Sequence, residues 1–479
     1  MASYEAVMGM EVHAQVTTAS KMFCRCAADY TQDTPNSHTC PICLGMPGML
    51  PTLNRRAVEA TVLLGLALNC EIPLNSKFDR KNYMYPDSPK GYQISQYDMP
   101  LAQHGWIDVP LEQGSKRIRI RRVHLEEDVA KLSHQDGMSL IDFNRAGQAL
   151  MEIVTEADIR TAEEAWRYLV ELRKLLRYLG IGTGNMEAGA MRCEVNLSLR
   201  PVGTEAFGTK VEIKNMNSFR AVRQAIAYEI ERQTAVLQRG NKVEQVTMGW
   251  DELNHRTLFQ RSKEGAEDYR YFPEPDLPPI AWQPAQIDAL RVQLPELPSA
   301  KTERFINQLG LRPEVAAQLA EERPLADYFE AASAAAGDVV EPAVTANWVL
   351  TEVLAILRSS GQELAEFGVT PEHLGELLLA LKKGTLNNTL AKEVLAEMAA
   401  SGKSCDEVIS ARGLAAISDT GQLQREVESV LAANPKVVQQ VREGKDQAIK
   451  FLIGQVMRQT RGQANAKMVE SLLRKALQG

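Results

Sequence analysis

The chain has 479 residues, 24% charged and 44% hydrophobic, enough for about three domains of common size and too apolar for a disordered chain. A formal net charge of −7 excludes a uniformly basic protein, so any contact with nucleic acid has to come from a local patch. The start lacks the layout of a signal peptide, no apolar run is long enough to span a membrane, and four of the seven cysteines form two tight pairs, so the expected location is the reducing cytoplasm.

Residues 1–295 are rich in short alternating stretches and predict an α+β domain dominated by antiparallel strands. In Gly9–Gln15, Glu11, His13 and Gln15 share one face of a strand and Met10, Val12 and Ala14 the other. A Glu and a His two apart on a strand are spaced to ligate one ion, though an ordinary polar face has the same pattern. Cys24 and Cys26, then Cys40 and Cys43, flank a short loop rich in Pro, Asn and Asp. Four thiolates so placed can close a tetrahedral zinc site of structural type, with no open position for chemistry; four free thiols are the plainer alternative. Asn54–Asn69 reads as a helix. Residues 78–97, including Lys81, Asn82 and Tyr83, are polar and aromatic without helical period, and serve equally as a binding loop or a surface loop.

Lys116–Lys131 opens as a strand, with Ile118 and Ile120 alternating with arginines, and ends in His124 and the carboxylates Glu126, Glu127 and Asp128. Consecutive carboxylates repel one another unless solvated, paired or bound to a cation, so this is either an exposed acidic turn or part of a cation site. Glu152 lies in an apolar strand and needs a partner. Thr161 and Glu164 predict a capping box for a helix that Gly180 ends. The glycines of 180–184 follow a helix rather than a strand, which excludes a dinucleotide fingerprint. Arg192–Arg200 and Lys210–Ser218 predict strands whose polar faces carry Arg192, Glu194, Asn196, Lys210, Glu212 and Lys214. Such faces are either solvated or line a cleft for phosphate and a divalent ion. A charged helix follows from Ser218 to about Gly240, and a proline-fixed segment, 268–279, closes the domain. Cys70 and Cys193 lie in apolar runs and are expected in the core.

Residues 296–405 predict a helical domain whose periods separate at prolines, and 406–479 a small helical module. Residues 436–479 carry nine Lys or Arg against three Asp or Glu, which leaves open either a solvated face or an RNA contact through Lys445, Arg458 and Arg461.

Glu11, His13, Glu127 and Glu152 together form an oxygen-rich set with one imidazole, which favours magnesium or manganese. No Walker loop, kinase catalytic loop, nucleophile elbow or metalloprotease helix is present. Tyr4–His13, Cys40–Gly48, Phe78–Tyr83, Tyr92–Gln96, His124–Asp128 and Asp268–Asp276 closely resemble the B subunits of the glutamyl/aspartyl-tRNA amidotransferase, and the resemblance covers essentially the whole chain. It implies a glutamine-synthetase-like cradle domain at 1–295, a helical domain and a tRNA-binding tail. It implies an ATP-dependent, glutamine-hydrolysing carbon–nitrogen ligase. Such an enzyme phosphorylates the side-chain carboxylate of Glu or Asp misattached to tRNA. Ammonia from an amidase A subunit then displaces phosphate, and a small C subunit wraps the A–B pair. By the same resemblance Glu11, His13, Glu127 and Glu152 are the catalytic magnesium ligands, and Cys24, Cys26, Cys40 and Cys43 match the zinc-bearing members. ATP and substrate fall to Lys81, Asn82, Tyr83, Arg192, Glu194, Asn196, Lys210, Glu212 and Lys214. A noncatalytic tRNA-binding scaffold with a structural zinc is the alternative reading; it has no need for Glu11, Glu127 and Glu152 to converge.

Overall fold

The computed structural model describes residues 3–30, 32–262, 269–413, 420–442, 447–460, 464 and 466–478. The chain divides into two compact units, Met1–Leu297 and Pro298–Gly479.

The first unit is built on one eight-stranded sheet. Across the sheet the strands run Arg256–Ser262, Val246–Asp251, Val211–Lys214, Met191–Pro201, Tyr4–Gln15, Ala149–Thr155, Ser115–Glu127 and Ala102–Pro110. Every neighbouring pair is antiparallel except Val211–Lys214 with Val246–Asp251. Tyr4–Gln15 is central, and its alternation explains why: Met8, Met10, Val12 and Ala14 are buried in the apolar core while Glu11, His13 and Gln15 face the other way. The helices Arg55–Ala67, Ala162–Tyr178 and Phe219–Gln238 contribute to that core through Leu64, Leu172 and Val222. Helices on one face leave the opposite face free to carry polar chemistry.

Local signals account for the helix ends. Asn54 accepts from the N–H groups of Arg56 and Ala57, and Ser218 from that of Ala221. Thr161 accepts from the Glu164 N–H at 3.1 Å, but the expected box is only half made. The Glu164 carboxylate accepts instead from the Arg160 N–H at 2.8 Å and from Lys116 at 2.6 Å, a charged partner from a neighbouring strand outcompeting the local one.

The second unit is helical among its described residues, and its prolines start helices rather than merely separate them. Pro313, Pro342 and Pro371 stand at the first turn, where the missing N–H costs nothing. Two separate apolar clusters fill it, one running from Phe305 to Val408 and one from Leu423 to Leu473.

Candidate functional site

The polar face of the sheet is organised by strand register. His13 lies opposite Glu152 on one side and Arg192 on the other, and Glu152 lies opposite His124 on the next strand. A bulge between Ile120 and Arg122 makes this possible. Before it, Ile118 and Ile120 point into the core; after it, Val123 and Leu125 do. The extra residue shifts the phase by one and turns His124 and Glu126 onto the polar face.

His13 Nε2 stands 3.4 Å from Glu152 Oε2 and 3.6 Å from Glu126 Oε1. His124 Nε2 stands 3.1 Å from the same Glu152 oxygen and 3.8 Å from Glu126. Burial opposes ionisation of Glu152, yet His124 and His13 more than reverse this and hold the carboxyl well below its usual range. Glu126 is also lowered against its burial, by His124 and Lys81, and accepts from Ser95 Oγ at 3.0 Å. Burial would lower the basicity of His13, but Glu152 and then Glu126 raise it to about 9. Glu11 behaves oppositely: burial and repulsion from Glu152 and Glu194 push its carboxyl up, while Asn196 Nδ2 donates to it at 2.8 Å.

These residues fit a divalent cation. One donor atom from each of His13, Glu126 and Glu152 lies within 4.8 Å of the others. The raised Glu11 marks a place short of positive charge, and among the described residues His124 Nδ1 is buried without a hydrogen-bond partner. Two carboxylates with one imidazole suit magnesium or manganese.

The expected ligands therefore divide. His13 and Glu152 meet, with Glu11 on the same face, and Glu126 completes the trio in the place given to Glu127. Glu127 is turned away: its carboxylate pairs with Lys90 and accepts from the Ile94 N–H at 2.9 Å. Strict alternation from His13 and Glu152 points to His124 and Glu126 once the register is known, but nothing in the sequence announces the bulge.

The other expected residues distribute around the trio. Lys81, on the strand Asp79–Asn82, is raised above its usual value because Glu126, then Tyr271 and Glu152, outweigh its burial; its Nζ lies 5.0 Å above the Tyr269 ring. Asn82 instead donates to the Arg270 carbonyl at 2.9 Å, and burial pushes the Tyr83 hydroxyl up. Arg192 donates to Asp128 at 2.8 Å, Lys214 pairs with Glu194 at 2.7 Å, and Glu212 accepts from Thr247 at 2.8 Å. Lys210 lines a cavity of about 270 Å³ with Glu11, Asn196 and Phe207. Tyr269 and Tyr271, which the sequence did not single out as site residues, flank Lys81 and the carboxylates.

Away from the sheet, the sulfurs of Cys24, Cys26, Cys40 and Cys43 lie within 4.8 Å of one another. Corners of a zinc tetrathiolate stand about 3.8 Å apart, given Zn–S bonds near 2.3 Å, so a small contraction closes the site. Hydrogen bonds already link the quartet: the Cys40 N–H donates to Cys43 Sγ at 3.1 Å, and a hydrogen bond from Cys24 leads the causes that pull Cys43 down to about 5 while Cys24 is pushed up. Cys70 and Cys193 are buried in the core. In the tail Arg458 is exposed, whereas Lys445 and Arg461 lie outside the described residues.

A largely antiparallel sheet, packed by helices on one face and gathering His13, Glu126 and Glu152 on the other, is the frame of an α+β enzyme domain. The comparisons make it specific. Residues 6–288 match the GatB/GatE catalytic domain and residues 327–477 the GatB domain, so the chain belongs to the GatB/GatE family. It is 51% identical to the B subunit of the aspartyl/glutamyl-tRNA(Asn/Gln) amidotransferase from Thermomicrobium roseum, over 99% of each chain. It is 48% identical to the protein of the same name from Carboxydothermus hydrogenoformans, over 100% of this chain and 99% of the relative. The Brevibacillus brevis protein of that name is 47% identical, over 100% of this chain and 99% of its own.

Proposed function

We propose that this chain is the carboxylate-activating subunit of a tRNA-dependent amidotransferase. Its substrate is Glu or Asp misattached to tRNA(Gln) or tRNA(Asn), and its product is the corresponding Gln- or Asn-tRNA. The observation that carries this reading is the trio His13, Glu126 and Glu152, its two carboxylates buried on a sheet face beside Lys81. A noncatalytic scaffold gains nothing from burying two carboxylates against two imidazoles, an arrangement that costs desolvation unless it serves a bound charge.

Phosphoryl transfer needs positioning and electrostatics more than covalent help from the protein. His13, Glu126 and Glu152 would hold magnesium, with Glu11 drawn in once its repulsion is relieved. Bound magnesium would offset negative charge on the transferring phosphate of ATP. His124 holds Glu152 ionised and oriented. Lys81 brings a second positive charge to the same place, suited to a phosphate or to the carboxylate under attack. The Lys214–Glu194 and Arg192–Asp128 pairs fix the flanks, and the cavity beside Glu11 and Lys210 offers room for nucleotide.

Carboxylate attack on the γ-phosphorus forms an acyl phosphate and releases ADP. Ammonia then adds at the carbonyl carbon and expels phosphate. The paired cysteines fit zinc, and no serine stands in a recognisable nucleophile elbow, so the ammonia is assigned to a partner; the likeness to amidotransferase B subunits makes that partner an amidase A subunit, with a small C subunit completing the enzyme. Reconstituting the chain with such partners and supplying Glu-tRNA(Gln) and Asp-tRNA(Asn) separately tests the reading. ADP formation that depends on one or both misacylated tRNAs is expected; ADP formation indifferent to either would reject it.

A further inference from the structure

Lys21 is wholly buried, and no carboxylate stands within ion-pair distance of it among the described residues. Burying an ammonium without a counter-charge is costly. Its Nζ donates to the carbonyl oxygens of His38 at 2.7 Å and Phe143 at 3.3 Å, which solvate the charge without neutralising it. The groups beside it that can carry negative charge are the thiols, since the Gly147 backbone lies against both Lys21 Cδ and Cys43 Cβ. A zinc ion with four thiolates carries two surplus negative charges.

Resting on the reading of the cysteine quartet as a zinc site, we infer that Lys21 is the counter-charge of the four-thiolate centre and the strut by which that centre fixes the loop leading into the Glu152 strand. Both cysteine pairs are tied to it. Its backbone N–H donates to the Cys26 carbonyl at 2.9 Å, and its side chain reaches the His38 carbonyl just before Cys40. The loop is tied as well. Phe143 accepts from the ammonium, and the Met22 N–H donates to the Gly147 carbonyl at 2.8 Å. Gly147 has φ +82°, and a Cβ there would lie 3.4 Å from Cys43 Cβ and 3.6 Å from Lys21 Cδ, so the loop backbone lies against both. The loop in turn meets the end of the Glu126 strand, with the Gly147 N–H on the Asp128 carbonyl and the Asp128 N–H on the Gln148 carbonyl, both at 2.8 Å. Without the metal's thiolates, the buried ammonium loses its counter-charge and the loop loses its anchor.

Charge balance gives a test that simple packing does not mimic. Zinc affinity is measured by chelator competition for the wild type, Lys21→Met, Cys26→His and the double variant. Lys21→Met should weaken zinc on the order of tenfold or more in the four-thiolate background, and by clearly less with Cys26→His, where only one surplus negative charge remains. Equal weakening in both backgrounds would mean Lys21 only fills space and would overturn the inference. A second measurement needs no variant: stripping zinc from the wild type should speed hydrogen exchange at residues 143–148, and unchanged exchange there contradicts the strut. A wild type that binds no zinc at all would instead remove the zinc reading on which the inference rests, a separately visible result.

Discussion

The sharpest consequence of the register is a contrast between two adjacent glutamates. Glu126→Gln keeps side-chain volume and an acceptor for Ser95 Oγ, but removes the negative charge that His13, His124 and Lys81 share. Two unit charges about 4 Å apart, at an effective dielectric near 20, interact by about 4 kcal/mol, a lower bound for a carboxylate on a divalent cation. Lost mainly from the phosphoryl-transfer transition state, this corresponds to roughly a thousandfold in rate. Glu127→Gln removes the partner of Lys90 and keeps an acceptor for the Ile94 N–H, so its cost falls on local stability, about 1–3 kcal/mol, with ADP formation within roughly tenfold of wild type. The assay is tRNA-dependent ADP formation by the reconstituted enzyme, with magnesium titrated and thermal melting followed in parallel. Should Glu126→Gln keep wild-type turnover while Glu127→Gln abolishes it, the bulge argument and the ligand set built on it are wrong.

Other expectations follow from separate parts of the chain. Elemental analysis of metal-replete protein should find about one zinc per chain, and Cys40→Ser with Cys43→Ser should lose it. Deleting residues 406–479 should weaken binding of misacylated tRNA and flatten its salt dependence while the first unit, with its own core, stays folded; unchanged affinity would exclude the tail as a reader. Lys301, nearly buried, pairs with Glu330 at 2.7 Å and Asp327 at 3.0 Å. Burial would lower its basicity, but these partners raise it, so its stabilisation is present below its unfolded value near 10.4 and lost as pH rises past the higher folded one. Lys301→Met should cost about 1–2 kcal/mol at neutral pH, a value discounted because both carboxylates are partly exposed, and the difference in melting temperature should shrink above about pH 10.5.

Much of this was readable because it rests on short-range rules. The strand Tyr4–Gln15 announced both of its faces by alternation, Thr161 announced a helix start by its capping chemistry, and the helices expected from Asn54 and Ser218 begin there. The cysteine quartet was legible from spacing, and the structure gathers its sulfurs. What could not be read was long-range. The choice between Glu126 and Glu127 turns on one extra residue at Ile120–Arg122, which shows itself only against the partner strand. Asn82 was grouped with Lys81 by proximity in sequence, yet neighbours on a strand point opposite ways, and Asn82 is spent on the Arg270 carbonyl. The tyrosines at 269 and 271 reach the site through pairing of Phe272 and Pro273 with Arg80 and Asp79, a contact across nearly two hundred residues. Lys21 was invisible as a special residue because nothing in the sequence distinguishes a buried lysine from an exposed one.

In the proposed reaction the side-chain carboxylate on the tRNA is activated as an acyl phosphate before ammonia arrives. Charging tRNA with glutamate carrying heavy oxygen in its side-chain carboxylate, and running one turnover in the reconstituted enzyme, tests this most directly. Carboxylate attack on ATP places a labelled oxygen in the bridge to phosphorus, and expulsion by ammonia leaves that oxygen on inorganic phosphate. One labelled oxygen is expected in each phosphate released. Phosphate free of label, alongside amidated tRNA, would contradict it.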